Sequence, residues 1–115
     1  MSQVLSAVAE AFVRTINDGD AAGFLALFAE EARVDDAGRT IEGLDAIRQW
    51  SEREIFAVRV TMELLDHRLQ EGEEVVTVKV DGSFDKTGLP DPLVMDQHLR
   101  LEGSKITRLA CRIAE

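Results

Sequence analysis

Asp36 is the carboxylate in this chain whose setting most invites chemistry. It closes the run Val34-Asp35-Asp36 just before the turn Ala37-Gly38. A carboxylate beside an apolar wall can have its pKa raised into a range where it abstracts protons. The plainer role for such an aspartate is to start the turn by bonding its own backbone. Asp35 alternates with it and should point the other way, into solvent. Gln97 is the second candidate. It is the one strongly polar residue in the alternating series Leu93, Met95, Gln97, Leu99, Leu101. A polar group on an apolar face must find a hydrogen bond or water. Gln97 therefore either lines a cavity or bonds a neighbouring strand or helix. Trp50 offers an indole N–H to a ligand, or simply packs in the core.

Other reactive residues point to little. Cys111 falls on the apolar side of the last alternating run and reads as a small buried hydrophobe. His67, flanked by Asp66 and Arg68, reads as a surface residue, and His98 falls on the face opposite Gln97. The two histidines show no metal-ligand spacing. Phosphate-loop, dinucleotide, nucleophile-elbow and paired-cysteine zinc motifs are missing from the sequence. No metal and no cofactor are expected.

The elements that would position these residues follow from periodicity. Val4, Leu5, Val8, Ala9, Phe12, Val13 and Ile16 recur at helical spacing, with Ser2 as a cap and Asn17-Asp18-Gly19 as a stop. Asp20 caps a second helix, expected to run to about Ala29 with Phe24, Leu25, Leu27 and Phe28 inward. Ala32–Asp36 reads as a short strand, Asp36–Arg39 as a turn and Thr40-Ile41 as a short return. A third helix spans about Leu44 to Arg53 and carries Leu44, Ile47 and Trp50. Strands follow. Val58, Val60, Met62 and Leu64 share one face, as do Val76, Val78, Val80, Gly82 and Phe84 in the next. The stretch Asp85–Pro92 is a loop barred from strand by its prolines. The last two strands run through Leu93–Leu101 and Thr107–Ile113. Helices followed by a meander imply an α+β domain with the helices on one face of the sheet.

The chain has 115 residues, of which 45% are hydrophobic, enough for one domain (1–115) with a real core. Its formal net charge of −9 argues against nucleic acid and anionic membranes as partners. The single cysteine cannot form an internal disulfide, and Met1–Leu5 lacks a basic start and a long apolar run. A cytoplasmic protein is therefore expected. There is no tyrosine, beside five phenylalanines and one tryptophan.

The order of elements, with Phe12–Asp20 (FVRTINDGD), Leu27–Asp36 (LFAEEARVDD), Gly43–Trp50 (GLDAIRQW) and the closing strand pair, resembles the nuclear transport factor 2-like superfamily, also called SnoaL-like, ketosteroid isomerase-like or cystatin-like. The resemblance covers nearly the whole chain. It implies a curved, mixed, mostly antiparallel sheet wrapped on three N-terminal helices, forming a cone with an internal apolar cavity. It also implies a homodimer through the outer sheet face.

Members include ketosteroid isomerases, polyketide cyclases, epoxide hydrolases, dehydratases and non-catalytic proteins, so the fold does not give the function. In isomerase-like members an aspartate that abstracts a proton next to a carbonyl stands where Asp36 stands. Gln97 occupies a position where they carry an aspartate that donates to the enolate oxygen, and Trp50 matches an aromatic position near the cavity. Phe12 stands where they have a tyrosine, the principal donor, which weighs against steroid isomerase chemistry. The epoxide hydrolases' set of aspartates, arginine and tyrosine has no counterpart legible here. The dehydratases' cavity histidine has none on an inward face. The expectation is a site with Asp36 and Gln97 as catalytic groups. Phe12, Phe28, Trp50, Val58, Val60, Met62, Met95, Leu99, Leu109 and Ile113 would surround a small apolar, carbonyl-bearing ligand. The alternative is a non-catalytic carrier or interaction module of the same fold.

Overall fold

In the computed structural model, which describes residues 5–114, Ser6 caps helix α1 (Ala7–Asp18) by accepting from the Ala9 N–H at 3.0 Å. The expected cap, Ser2, lies outside the described residues. The buried stripe of α1, which includes Val8, Phe12, Thr15 and Ile16, faces the sheet. Gly19 stops the helix at φ 69°, a left-handed conformation that a residue without Cβ adopts freely. Asp20 caps α2 (Ala21–Leu25) through Gly23 N–H.

Helix α2 ends at Leu25 rather than near Ala29, and Phe28 already opens β1 (Phe28–Asp36). The cause is long-range. Ile106 of the last strand pairs with Phe28 and donates its N–H to the Leu27 carbonyl at 2.7 Å. That pairing outweighs the local helical periodicity. Phe28 still stacks on Phe24, with ring centroids 5.1 Å apart.

Strand β1 returns through Ala37 and Gly38, at φ 51° and 84°, into β2 (Arg39–Glu42). Positive φ at both turn residues matches the twist of a tight hairpin. Helix α3 (Leu44–Ser51) buries Ile47 and Trp50, then widens into a π-helical turn, Glu52–Phe56. Strands β3 (Thr61–Gln70), β4 (Glu73–Asp81), β5 (Leu93–Glu102) and β6 (Lys105–Ile113) complete the chain. Val58 and Val60, expected in a strand, precede β3, and Phe84 follows the end of β4.

The six strands lie in the order β2-β1-β6-β5-β4-β3. Among the described residues only the β1–β6 pair is parallel. The domain is α+β, with a curved, mostly antiparallel sheet packed on helices from the N-terminal half. Interruptions of register in β1, β3 and β6 mark where the sheet bends.

The irregularity in β3 reverses an expectation. Met62 and Leu64 pair with Val80 and Val78 on the inner face, but Asp66 pairs with Thr77 and His67 with Val76. Leu65 is the extra residue, and beyond it the faces exchange. His67 is thus inside rather than on the surface, with its side chain 9% exposed. Its Nε2 lies 2.6 Å from Glu74 Oε2. Glu74 also accepts from the Ser6 N–H at 3.0 Å and the Ser6 hydroxyl at 2.6 Å. Burial works to raise the Glu74 carboxyl, but the bonds from Ser6 and His67 outweigh it and hold the group below its ordinary value. This buried knot ties the start of α1 to β3 and β4.

A carboxyl depressed in the folded state contributes stability above its unfolded pKa, here 4.5, and loses it as pH falls through the folded value. Glu74→Gln should therefore destabilise the fold by about 1–3 kcal/mol near neutral pH. The gap between wild type and variant should narrow below about pH 4. Urea denaturation at several pH values checks this, and a gap that widens in acid would contradict it.

Candidate functional site

Cross-strand register aligns one row of inward residues across the whole sheet. Arg39 pairs with Asp36, Asp36 with Cys111, Cys111 with Gln97, Gln97 with Val76 and Val76 with His67. Neighbouring strands are ~4.8 Å apart, so the Asp36 and Gln97 backbones stand about 10 Å apart on one concave face. Between this face and the helices lies a cavity of about 950 Å³. Its apolar wall includes Phe12, Ile16, Val60, Met62, Met95 and Leu109.

Asp36 sits at the mouth with its side chain 20% exposed. Its Oδ2 accepts from Trp50 Nε1 at 3.1 Å and from Arg39 Nη2 at 2.8 Å. No described residue donates to Oδ1, and the Ala37–Gly38 turn gives the carboxylate no backbone hydrogen bond. Arg39 also grips Glu54 with two bonds, Nη1 to Oε2 at 2.9 Å and Nη2 to Oε1 at 2.7 Å. Bonding to Glu54, then to Asp36, pushes the guanidinium pKa still higher. The same bonds hold the Glu54 carboxyl low against a smaller opposing effect of burial. Asp36, Arg39 and Glu54 thus form a carboxylate–arginine–carboxylate chain that joins the β1–β2 hairpin to the π-helical turn.

Asp35 faces the opposite side of the sheet, as alternation requires. It is not left to solvent: Arg33 Nε bonds it at 3.0 Å and Arg108 Nε at 2.9 Å. Desolvation opposes the shift, yet these arginines hold its carboxyl below the ordinary value.

Gln97 is 2% exposed, and its Oε1 has no hydrogen-bond partner among the described residues. The structural bond to a neighbouring strand or helix is therefore not made by that oxygen. Cys111 is its cross-strand neighbour. Burial pushes the Cys111 thiol up, with the charges of Asp36 and Asp35 adding, so it stays protonated. Trp50 lines the cavity with its ring, but its N–H is committed to Asp36 rather than open to a ligand.

Of the residues expected around a ligand, Phe12, Trp50, Val58, Val60, Met62, Met95, Leu109 and Ile113 line this one cavity. Phe28 and Leu99 do not. Phe28 stacks on Phe24 at the far end of β1, and Leu99, paired with Leu109 and Glu74, is sealed in the core. His67, though inward, bonds Glu74 instead of lining the cavity. His98 faces outward, with Nδ1 3.5 Å from Glu73. Among the described residues, no group of three or more His, Cys, Asp or Glu side chains could hold a metal ion.

Arg39 and Glu54 were not evident from sequence patterning. Arg39 had a signal: a two-residue turn in DDAGR necessarily sets it opposite Asp36. Glu54 had none, because its approach depends on how the π-helical turn packs.

The sequence profile of the SnoaL-like domain family matches residues 9–109. No curated protein matches the sequence. Many solved structures share the fold. A candidate polyketide cyclase from Sinorhizobium meliloti superposes with a TM-score of 0.82 at 22% identity, over 94% of this chain and 95% of the other. A protein of ketosteroid isomerase-like fold from Catenulispora acidiphila, solved with trimethylamine, gives 0.77 at 20% identity over 94% and 85%. The Δ5-3-ketosteroid isomerase from a Mycobacterium species gives 0.72 at 20% identity over 91% and 88%.

If Arg39 holds Glu54 as described, Arg39→Ala should let the Glu54 carboxyl titrate closer to 4.5, its ordinary value. Carboxyl-detected NMR titration of the two proteins checks this. An unchanged Glu54 midpoint would contradict the bond.

Proposed function

Because the chain belongs to the SnoaL-like domain family, we propose that it binds a small, mostly apolar, carbonyl-bearing molecule in the cone and moves a proton beside that carbonyl. Asp36 is the general base, acting through Oδ1, the oxygen that Trp50 and Arg39 leave free. Gln97 donates from its amide to the carbonyl oxygen and stabilises the enolate as it forms. Trp50 walls the site and fixes the Asp36 rotamer.

One observation carries this reading. A free carboxylate oxygen and a buried amide, whose Oε1 has no partner among the described residues, stand in one register row, two strands apart, across a cavity with an apolar wall. From backbones about 10 Å apart, both side chains can reach one carbonyl and its adjacent carbon. Phe12 provides no phenol at the wall, so the oxyanion would rely on Gln97. Losing one such donor commonly costs ~10²–10³ in rate, which places the expected activity below that of a two-donor site. Isomerase or cyclase chemistry on a substrate easier to deprotonate than a steroid fits that limit.

The Arg39–Asp36 ion pair at 2.8 Å supports a second reading. The guanidinium takes one oxygen of the carboxylate and holds a cation beside the would-be base. A carrier that binds the same molecule without turnover would tolerate this better than an enzyme. In either case we expect a homodimer through the outer sheet face, where Arg68, Thr77, Asp96, His98 and Glu73 make a polar lattice.

Deuterium uptake at the carbon between ring and carbonyl of 2-tetralone, followed by NMR in heavy water, separates the two readings. The enzyme reading expects wild type to accelerate exchange and Asp36→Asn to lose about 10²-fold or more, with binding retained. Exchange undiminished in the variant would remove Asp36 as the base. Binding without exchange in wild type would favour the carrier. Native mass spectrometry of the same sample reports subunit number, and a strictly monomeric species at micromolar concentration would count against the dimer.

A further inference from the structure

Gln97 brings an acceptor to the cavity wall that no described residue satisfies. Its Oε1 is buried and unpartnered. On the concave face its cross-strand neighbours are Val76 and Cys111. Alternation along β5 sets Met95 and Leu99 on either side of it. Of these four, only the Cys111 thiol carries a proton to give. A thiol is a weak donor, and this one makes no bond to Oε1. Two stronger donors on the cavity wall are engaged at the mouth. Trp50 Nε1 donates to Asp36, and Arg39 is shared between Asp36 and Glu54.

A buried acceptor without a partner costs free energy, and a donor carried in by a ligand recovers it. The amide holds an acceptor oxygen and a donor nitrogen on one planar group. A ligand that satisfies both must therefore present a donor and an acceptor side by side, as adenine does to a glutamine in the major groove. No hydrogen bond to a described residue holds either end of the amide, so none is broken when it turns that edge to a ligand. We infer that the ligand carries a hydrogen-bond donor, a hydroxyl or an N–H, directly beside the carbonyl that Nε2 bonds. Its class narrows from apolar carbonyl compounds in general to α-hydroxy carbonyl compounds and cyclic amides. The other side of the carbonyl keeps the carbon from which Asp36 takes a proton. This rests on the reading of the cone as a small-molecule site and adds what its occupant must offer to Gln97.

Calorimetric titration with 3,4-dihydro-2-quinolinone and 2-tetralone tests the inference. The two probes share a shape, and an N–H beside the carbonyl of the first replaces a methylene in the second. The lactam should bind wild type about tenfold more tightly than the ketone, the effect of one satisfied buried acceptor. Gln97→Met keeps the length of the side chain and removes both polar ends. In that variant the ketone should bind at least as tightly as the lactam. The variant should also unfold at no lower a temperature than wild type, because it removes a buried unpaired group. Equal binding of the two probes to wild type, or tighter binding of the ketone, would overturn the inference while leaving the cone as a small-molecule site. A lactam preference that survives in Gln97→Met would place the donor against another acceptor and overturn the assignment to Gln97. A variant markedly less stable than wild type would mean that the amide is already bonded within the protein, which contradicts the premise. Failure of both probes to bind would count against the small-molecule site itself.

Discussion

Everything at the candidate site depends on the parallel pairing of β1 with β6. This contact inserts the chain's last strand between its first strand and the rest of the sheet. Without it, Asp36 would belong to an isolated hairpin, far from the alternating strands of the C-terminal half. With it, Asp36 gains Cys111 as a neighbour and Gln97 one strand further on. The same pairing ends α2 early, because Ile106 bonds the backbone at Leu27 and Phe28. Fold and site are therefore set by one long-range contact.

The polar groups of the site obey two different constraints. At the mouth, Asp36 shares Arg39 with Glu54, and its remaining oxygen is the one left to act. Deeper in, Gln97 has no partner among the described residues for its Oε1 in an apolar wall, and a buried acceptor left unbonded costs free energy. Only a hydrogen-bond donor offsets that cost; the carbonyl of the proposed ligand would bond the amide nitrogen instead. The buried knot of Ser6, Glu74 and His67 lies on the same sheet but serves another end: it fixes α1, whose Phe12 and Ile16 form part of the cavity wall.

Much of this was legible in the sequence, for identifiable reasons. Local rules located α1, the cap at Asp20, the hairpin turn and the alternation that points Gln97 and Asp36 inward. Those rules act over a few residues, and here they agree with the tertiary structure. They failed where distant contacts decide. The end of α2 depends on β6, and the faces of His67 and Arg68 depend on a bulge at Leu65 that no pattern announces. The grip of Arg39 on Asp36 was implicit in the two-residue turn, but its grip on Glu54 required the packing of the π-helical turn. The missing tyrosine was visible as composition alone. The structure gives it a location, since Phe12 lies on the cavity wall and provides no hydrogen bond there.

The central claim is that Gln97 and Asp36 face the same bound molecule. The most direct measurement follows the Gln97 side-chain amide and the Trp50 indole N–H together, in nitrogen–proton NMR spectra, as 2-tetralone is added. The account predicts that both signals move along one saturable curve, because Trp50 reports the Asp36 carboxylate and Gln97 the carbonyl oxygen. A Gln97 amide that stays fixed while the ligand saturates other positions would contradict it.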